Sequence, residues 1–336
     1  MGIDLPLIWA IIIAFGVMMY VVMDGFDLGI GILFPFVSDR RERDAMVNTV
    51  APVWDGNETW LVLGGAGLFA AFPLAYGLIL SALYLPLMFM LAGLIWRGVS
   101  FEFRFKADER RKPFWDRAFA WGSYIATFSQ GVALGAFING FKLHGTTFAG
   151  SALDCFTPFS IFTGFALLLA YALLGSTWLI MKTSDGLQRR MCQLARRTSI
   201  ALLAIIAIVS IWTPLTHAEV TARWFSLPNM VLFAPVPILV LAVTWLQLRV
   251  LQQREPRAAP FMLALLLIFL GYTGLAISMW PNVIPPSISI WEAASPPQSM
   301  GFALAGTLFI IPIILVYTSW SYYVFRGSQA IGEGYD

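Results

Sequence analysis

Charged residues are scarce in this sequence: they make up only 12% of its 336 residues, whereas soluble domains carry roughly 25%. Hydrophobic residues make up 59%, and the mean hydropathy is +0.76. A globular domain that folds in water does not carry so few charges over such a length. The composition therefore excludes a soluble domain and predicts a polytopic membrane protein.

Histidine and cysteine are also scarce, with two residues of each. His144 and His217 fall in or beside predicted loops, whereas a membrane haem protein normally places its His or Met ligands inside the helix bundle. The 13 methionines are plentiful but typical of packing. Cys155 and Cys192 are predicted to lie on opposite sides of the membrane, so a disulfide is not expected. We therefore predict no haem pair, no metal cluster and no nucleophile arrangement in this chain.

Long apolar runs are what the sequence does contain. A helix that spans a bilayer needs about 20 apolar residues, and the connections between the runs leave no room for an extramembrane domain. We predict an all-α integral membrane protein with one polytopic domain over residues 1–336. Its nine transmembrane helices are expected at about residues 7–36, 52–73, 76–99, 114–142, 159–182, 198–215, 229–249, 260–280 and 302–325.

The positions of the cations predict the orientation of the chain. All but two of the 21 Lys and Arg residues fall in alternate loops or in the C-terminal tail, among them Arg97 after the third segment and Arg254 after the seventh. Only Lys142 and Arg223 fall on the other side. Because cytoplasmic loops are enriched in Lys and Arg, the N-terminus is predicted to be periplasmic and the C-terminus cytoplasmic. Residues 1–6 contain no Lys or Arg and no small-residue cleavage site follows them, which favours a first helix that is retained.

Four carboxylates interrupt the first two apolar segments. Asp24 and Asp27 lie at positions i and i+3 of the first, and Asp55 and Glu58 repeat this spacing in the second. Asp24 lies about 26 Å along its helix, in the cytoplasmic half, and the opposite directions of the two helices bring both pairs to similar depth. An ionisable residue in lipid costs at least about 2.5 kcal/mol at the helix centre. We therefore predict that the four acids form the mouth of a proton path.

A purely structural role is the alternative for these acids. They could form ion pairs with arginines such as Arg97 or Arg104 that only hold the helices together. For Asp24, the deepest acid, we favour proton handling, and for the other three the two interpretations are balanced. Asp55 has a further alternative, because Asp-Gly-Asn is also a turn sequence.

Glycines surround the first pair of acids. Gly25, Gly29 and Gly31 leave room for a neighbouring helix, and Gly25 and Gly29 have the four-residue spacing of small residues at membrane helix interfaces. We predict close helix packing at this point.

Two stretches carry a family resemblance: Asp-Gly-Phe-Asp-Leu-Gly at 24–29 and Trp-Asp-Gly-Asn-Glu-Thr-Trp-Leu at 54–61. They resemble the signature motifs of subunit II of the cytochrome bd quinol oxidases. The likeness continues through residues 68–73, 97–102, 289–295 and 311–318, so it covers nearly the whole chain. Glu58 stands where other members carry Gln, and the chain is short for the family. Both features resemble the cyanide-insensitive type.

The resemblance implies a haem-free subunit with nine helices in the bacterial inner membrane. Its partner would be a haem-bearing subunit I, and the complex would oxidise quinol and reduce O₂ to water in the aerobic respiratory chain. The resemblance places the b-type haems, and a d-type haem in some members, in subunit I. It allows a structural quinone in subunit II and a small accessory single-helix subunit. Asp24 and Asp55 match the family's proton-path acids, and Asp27 and Glu58 are weaker matches.

The sequence is also compatible with two other classes of function. Apart from the resemblance, a proton-coupled secondary transporter is the first interpretation, and a purely structural assembly subunit is another. Transporters usually place their acids near the midplane, beside broken helices and within internal repeats. Here the acids lie toward one face and no repeat is visible. The basic loops are explained by topology and anionic lipid, so nucleic-acid binding is not expected.

Overall fold

The structure is a computed structural model that describes residues 3–253 and 256–327. Arg254, one of the predicted cytoplasmic cations, lies outside them. The helices are α1 (Leu5–Leu33), α2 (Arg40–Asn48), α3 (Trp54–Ala71), α4 (Pro73–Lys106), α5 (Lys112–Asn139), α6 (Pro158–Lys182), α7 (Asp185–Thr216), α8 (Ala218–Phe225), α9 (Asn229–Phe233), α10 (Pro235–Val250), α11 (Ala259–Met279) and α12 (Pro297–Val324). A 3₁₀ turn, Phe34–Phe36, follows α1.

Two of the loops contain short β-hairpins. Strands β1 (Leu143–His144) and β2 (Thr147–Phe148) pair antiparallel between α5 and α6. Strands β3 (Asn282–Ile284) and β4 (Ile288–Ser289) pair antiparallel between α11 and α12. These hairpins carry no core of their own, and the body of the molecule is helical.

Seven helical spans of the described residues are long and apolar enough to cross a membrane. They are α1 with its 3₁₀ turn, α4, α6, α7, α9 with α10, α11 and α12. Helices α3 and α5 occupy the predicted segments 52–73 and 114–142 but carry more polar residues. The chain is therefore a mostly helical, multi-pass membrane protein.

Helices α3 and α4 are joined by a tight turn before Pro73. Helix α3 ends at Ala71 and α4 begins at Pro73, so Phe72 alone connects them. Proline suits the first position of a helix because its missing N–H would have no partner there. The junction brings the start of α4 directly beside the end of α3.

Two helices extend well beyond their predicted spans. The third segment was predicted to end at residue 99, but α4 continues to Lys106, so Arg104 lies inside a helix and not in a loop. Helix α7 begins at Asp185 and not near residue 198. The cause is physical: charges end an apolar run, yet a helix continues wherever those charges find partners. The buried arginines of α4 are such a case.

The loop predicted after the first segment contains helix α2. Asp39 caps its N-terminus by accepting a hydrogen bond from the backbone N–H of Glu42 at 3.1 Å. Arg104 of α4 donates to Asp44 of α2 and to Asp116 of α5, each at 2.7 Å. Helix α2 is thereby fixed to the ends of α4 and α5.

Small residues allow close packing of α1 against α5 and α6. A Cβ atom on Gly29 would stand 1.9 Å from the carbonyl oxygen of Tyr171 in α6. A Cβ on Gly31 would stand 2.0 Å from Oγ of Ser123 in α5, and one on Gly25 would also crowd the Tyr171 ring. The predicted close helix packing is confirmed. It places the acidic turn of α1 inside the bundle.

A buried carboxylate–arginine cluster as the candidate functional site

The acidic turn of α1 meets an arginine of α4 in the interior. Asp24, Asp27 and Arg97 are all fully buried, at 0% exposure. Nη1 of Arg97 donates to Oδ1 of Asp24 at 2.7 Å, and its Nη2 lies 3.6 Å from Oδ2 of Asp27. The spacing of i and i+3 puts both carboxylates on one face of α1. One guanidinium therefore joins two acids of the neighbouring helix.

Glu58 of α3 is the third carboxylate of the cluster. Its Oε1 accepts a hydrogen bond from Nη1 of Arg97 at 3.3 Å. The Glu58 side chain is 29% exposed, whereas those of Asp24 and Asp27 are enclosed. Three carboxylates thus face one guanidinium, and full ionisation would leave excess negative charge in a low-dielectric site. The cluster is chemically suited to taking up protons.

A hydrogen-bond chain connects the cluster to the last helix. Nδ2 of Asn57 donates to Oδ2 of Asp27 at 2.7 Å and to the carbonyl of Met23 at 3.2 Å. The hydroxyl of Tyr322 in α12 donates to Oδ1 of Asn57 at 2.8 Å. Helices α1, α3, α4 and α12 therefore all contribute side chains to one polar site.

A second polar branch begins one turn before Asp24. Tyr20 occupies that position on α1 and interacts electrostatically with the Asp24 carboxylate. Its hydroxyl accepts from Nε2 of Gln130 in α5 at 2.6 Å. The hydroxyl of Tyr171 in α6 donates to Oε1 of the same glutamine at 3.1 Å. The polar groups thus extend from the cluster toward α5 and α6.

Several buried atoms of the cluster have no hydrogen-bond partner in the described part of the chain. They are Oδ2 of Asp24, Oδ1 of Asp27, and Nε and Nη2 of Arg97. Buried polar atoms in native proteins almost always have a protein or water partner. The carboxylate oxygens are thus available to accept a hydrogen bond from water or to take up a proton, and the guanidinium N–H groups to donate a hydrogen bond to water.

The structure brings three of the four predicted acids together. Asp55 remains exposed on α3, one turn before Glu58, outside the buried cluster. Pairing with Arg97, the alternative weighed for these acids, is present for Asp24, Asp27 and Glu58. Sequence reasoning missed the contributions of Tyr322 and of the Tyr20 branch, because nothing local to those residues marks a contact with α1.

The fold and the cluster together define a polytopic helical membrane protein with an ionisable site inside its membrane segments, and such sites mark ion or proton pathways. A family model described as cytochrome bd terminal oxidase subunit II matches residues 5–325, nearly the whole chain. The chain belongs to the cytochrome bd terminal oxidase subunit II family. It is therefore a subunit of a quinol:oxygen oxidoreductase of the respiratory chain, and it has a subunit I as its partner.

Individual relatives agree with this family. The probable cytochrome oxidase subunit 2 of Haemophilus influenzae is 29% identical, over 95% of this chain and 93% of its own. The cytochrome bd-I ubiquinol oxidase subunit 2 of Escherichia coli K12 is 28% identical, over 96% and 94%. The cytochrome bd ubiquinol oxidase subunit 2 of Bacillus subtilis is 28% identical, over 95% of both chains.

A solved structure shares the fold. A chain in the structure of bd oxidase from Geobacillus thermodenitrificans superposes with a TM-score of 0.77 at 16% identity. The match covers 96% of this chain and 99% of that chain. The helix arrangement is therefore one already seen in a bd oxidase.

The histidines of this chain do not fit haem ligation in the bundle interior. His144 is exposed at the end of β1. His217 follows the last residue of α7, and its Nδ1 is hydrogen-bonded to Oγ1 of Thr216 at 2.8 Å. Within residues 3–253 and 256–327, no three His, Cys, Asp or Glu side chains form a group that could hold a metal ion. The ionisable cluster is the chemically distinctive site of this chain.

Proposed function

We propose that this chain is the haem-free subunit of the oxidase and that it supplies protons from the cytoplasm for the reduction of O₂ to water. The haems would belong to subunit I. The observation that carries the proposal is the convergence of Asp24, Asp27 and Glu58 on Arg97 inside membrane segments. Ionisable residues inside membrane segments cost free energy, and those that occur there usually mark an ion or proton pathway.

The cluster lies near the end of the molecule that carries most cations. Asp24 is within the last three turns of α1, Glu58 within the first two of α3, and Arg97 within the last three of α4. Arg104 and Lys106 end α4 on this side. By the positive-inside rule this end faces the cytoplasm. With α1, α3 to α7 and α10 to α12 as nine spans, the N-terminus would be periplasmic and the membrane the bacterial inner membrane.

The exposures suggest a direction for proton entry. Glu58 is the partly exposed member, and the exposed Asp55 lies one turn before it, so Asp55 and Glu58 would take up protons first. Asp24 and Asp27 would receive them inside. Arg97 would limit the charge that builds up as the acids ionise, because it contacts all three. The substrate would be a quinol, as the ubiquinol oxidase names of two relatives indicate, and a bound structural quinone and a small accessory subunit are compatible with this arrangement.

The test is neutralisation of the acids in the purified complex. We expect Asp24→Asn and Asp27→Asn each to reduce quinol-dependent O₂ consumption severalfold, while the visible spectrum shows a normal haem content. Glu102→Gln is the matched control, because the side chain of this acid of α4 is 67% exposed. Full activity of both aspartate variants would overturn the proton path.

The contacts of Arg97 support a second function for the same residues. An arginine that joins α1, α3 and α4 also holds the helices in place for assembly with subunit I. If haem content falls in parallel with activity in the neutralised variants, assembly is the function of the cluster. No observation favours a proton-coupled transporter once the chain belongs to a terminal-oxidase family.

A further inference from the structure

Lys182, the last residue of α6, makes unusual contacts for a buried cation. It is only 6% exposed. Its Nζ donates to the backbone carbonyls of Phe325 at 2.8 Å and of Gly327 at 3.2 Å, and it lies 5.2 Å from the ring centroid of Trp178. In the part of the chain that the structure describes, no ion pair joins Lys182 to a carboxylate. Its partner is the backbone that follows α12.

This contact caps α12 from outside the helix. The last carbonyls of a helix have no intrahelical donor, and the helix dipole places negative charge at the same end. An ammonium group satisfies both requirements. Helix α12 has few other anchors, because only Met300 and Thr318 are buried along its length. Lys182 therefore contacts the end of a helix whose other residues are mostly exposed on this chain.

The capped end of α12 carries the tyrosine of the functional site. Tyr322 lies in the last turn of α12, and its hydroxyl donates to Oδ1 of Asn57. Its ring meets Trp178 edge-on, with centroids 6.1 Å apart, and Trp178 in turn stacks on Phe26 of α1 at 4.2 Å. The residue that contacts Lys182 thus also packs beside Tyr322 and beside the acidic turn.

The direction of these hydrogen bonds determines whether Asn57 presents a donor or an acceptor to Asp27. The two ends of an asparagine amide differ, since Oδ1 only accepts and Nδ2 only donates. Because Tyr322 donates to Oδ1, the amide of Asn57 must present Nδ2 to Asp27. The Met23 carbonyl, which accepts from Nδ2, favours the same orientation, and the Tyr322 hydroxyl is the donor that holds the Oδ1 end of the amide.

We propose that Lys182 is a positioning residue of the proton path. By capping the C-terminal end of α12 it holds Tyr322 on Asn57, and so keeps a hydrogen-bond donor facing Asp27. This role rests on the proposed function of Asp27 as a proton-path acid. Lys182 itself takes no proton from the path and contacts none of its acids.

The first measurement follows α12 and does not depend on turnover. In the purified complex, Lys182→Met should accelerate hydrogen–deuterium exchange severalfold in a peptide covering residues 318–327, with little change over 300–312. Lys182→Arg should restore slow exchange, because it keeps the cation. Lys106→Met is the control, since Lys106 is 80% exposed at the end of α4. Unchanged exchange in Lys182→Met would overturn the proposal.

The second measurement asks whether Lys182 acts through Tyr322. Lys182→Met and Tyr322→Phe should each lower quinol-dependent O₂ consumption at normal haem content, and the double variant should be no slower than Tyr322→Phe alone. If the losses of activity in the two single variants multiply in the double variant, Lys182 acts by another route and the proposal is overturned. Full activity of Lys182→Met would also overturn it. If Asp27→Asn is also fully active, the proton path itself has failed, whereas faster exchange over 318–327 would still show the cap.

Discussion

At the scale of single residues, Arg97 controls the electrostatics of the buried site. It is fully enclosed and contacts three carboxylates from two other helices. Removing one partner of a buried ion pair leaves a charge without compensation, which costs about 3–5 kcal/mol. The arginine therefore makes the buried acids tolerable, whatever they do with protons.

We expect Arg97→Gln to lower the thermal unfolding midpoint and the yield of the complex, because Asp24 and Asp27 would then face each other without a cation. Adding Asp24→Asn to Arg97→Gln should restore part of the loss, since one of the uncompensated charges is gone. Both are measured on the detergent-solubilised complex, with the exposed Lys106→Gln as control. A stable Arg97→Gln variant would contradict the central place given to this side chain.

A pH effect is expected outside the membrane segments, in the loop between α5 and α6. Nζ of Lys142 lies 3.0 Å from Oδ2 of Asp154, and this hydrogen bond, with a second from the Ser151 backbone N–H, lowers the pKa of Asp154 below its ordinary value of 3.8. A lowered pKa stabilises the fold above the ordinary value, and the gain is lost as the pH falls through the folded-state pKa. The unfolding midpoint of Asp154→Asn should therefore lie slightly below that of the parent at neutral pH. The difference should vanish in acid, and a difference that grows in acid would contradict the sign.

At the scale of elements, the long helices were predictable and their polar extensions were not. Apolar runs mark α1, α6 and α11 because each must be covered by lipid or protein along its length. Helix α2 is short and polar, yet Asp39 followed by Glu42 is a helix start signal that would have found it. The full burial of Arg97 gave no local signal, because an arginine near the end of a predicted span can equally reach the membrane surface.

Contacts with elements far along the chain could not be predicted from the sequence. Tyr322 meets Asn57 across 265 positions of the chain, and no spacing rule reaches so far. The depth argument did bring Asp24, Asp27 and Glu58 together, since the directions of α1 and α3 follow from their order. It could not show that Asp55, one turn from Glu58, faces outward.

The contact of α1 with α6 is the element-scale feature most sensitive to a single methyl group. Gly29→Ala would place a Cβ 1.9 Å from a backbone oxygen of α6, so the helices must separate. We expect loss of the assembled complex, measured as haem content after purification. Gly77→Ala is the control, because nothing lies within 4 Å of a Cβ on this glycine of α4. It should be neutral or stabilising by up to about 1 kcal/mol, and tolerance of Gly29→Ala would show that the helices are less tightly packed.

At the scale of the whole molecule, the distribution of cations predicts the proposed orientation in the membrane. The α4–α5 connection carries Arg110 and Arg111. In the α5–α6 connection, residues 140–157, Lys142 is the single Lys or Arg residue. The first should face the cytoplasm and the second the periplasm. The cluster of acids would then open toward the side from which protons are drawn.

This orientation can be measured by labelling. In a background with Cys155→Ala and Cys192→Ala, a membrane-impermeant maleimide added to intact cells should label Thr146→Cys in the β1–β2 hairpin. It should label Asp108→Cys, between α4 and α5, only after the membrane is permeabilised. Both positions are exposed in the structure. The reverse pattern would invert the chain and place the cluster on the wrong side for cytoplasmic uptake.

The sharing of the cluster among α1, α3, α4 and α12 also constrains biosynthesis. Asp24 leaves the ribosome 73 residues before Arg97, and Asn57 leaves it 265 residues before Tyr322. During insertion α1 must therefore wait, with its acids uncompensated, until α4 arrives, and the hydrogen-bond chain closes only when the last helix is made. A chain that ends before α4 would lack the cation that pairs with Asp24 and Asp27, and these two acids would have to stay protonated in lipid.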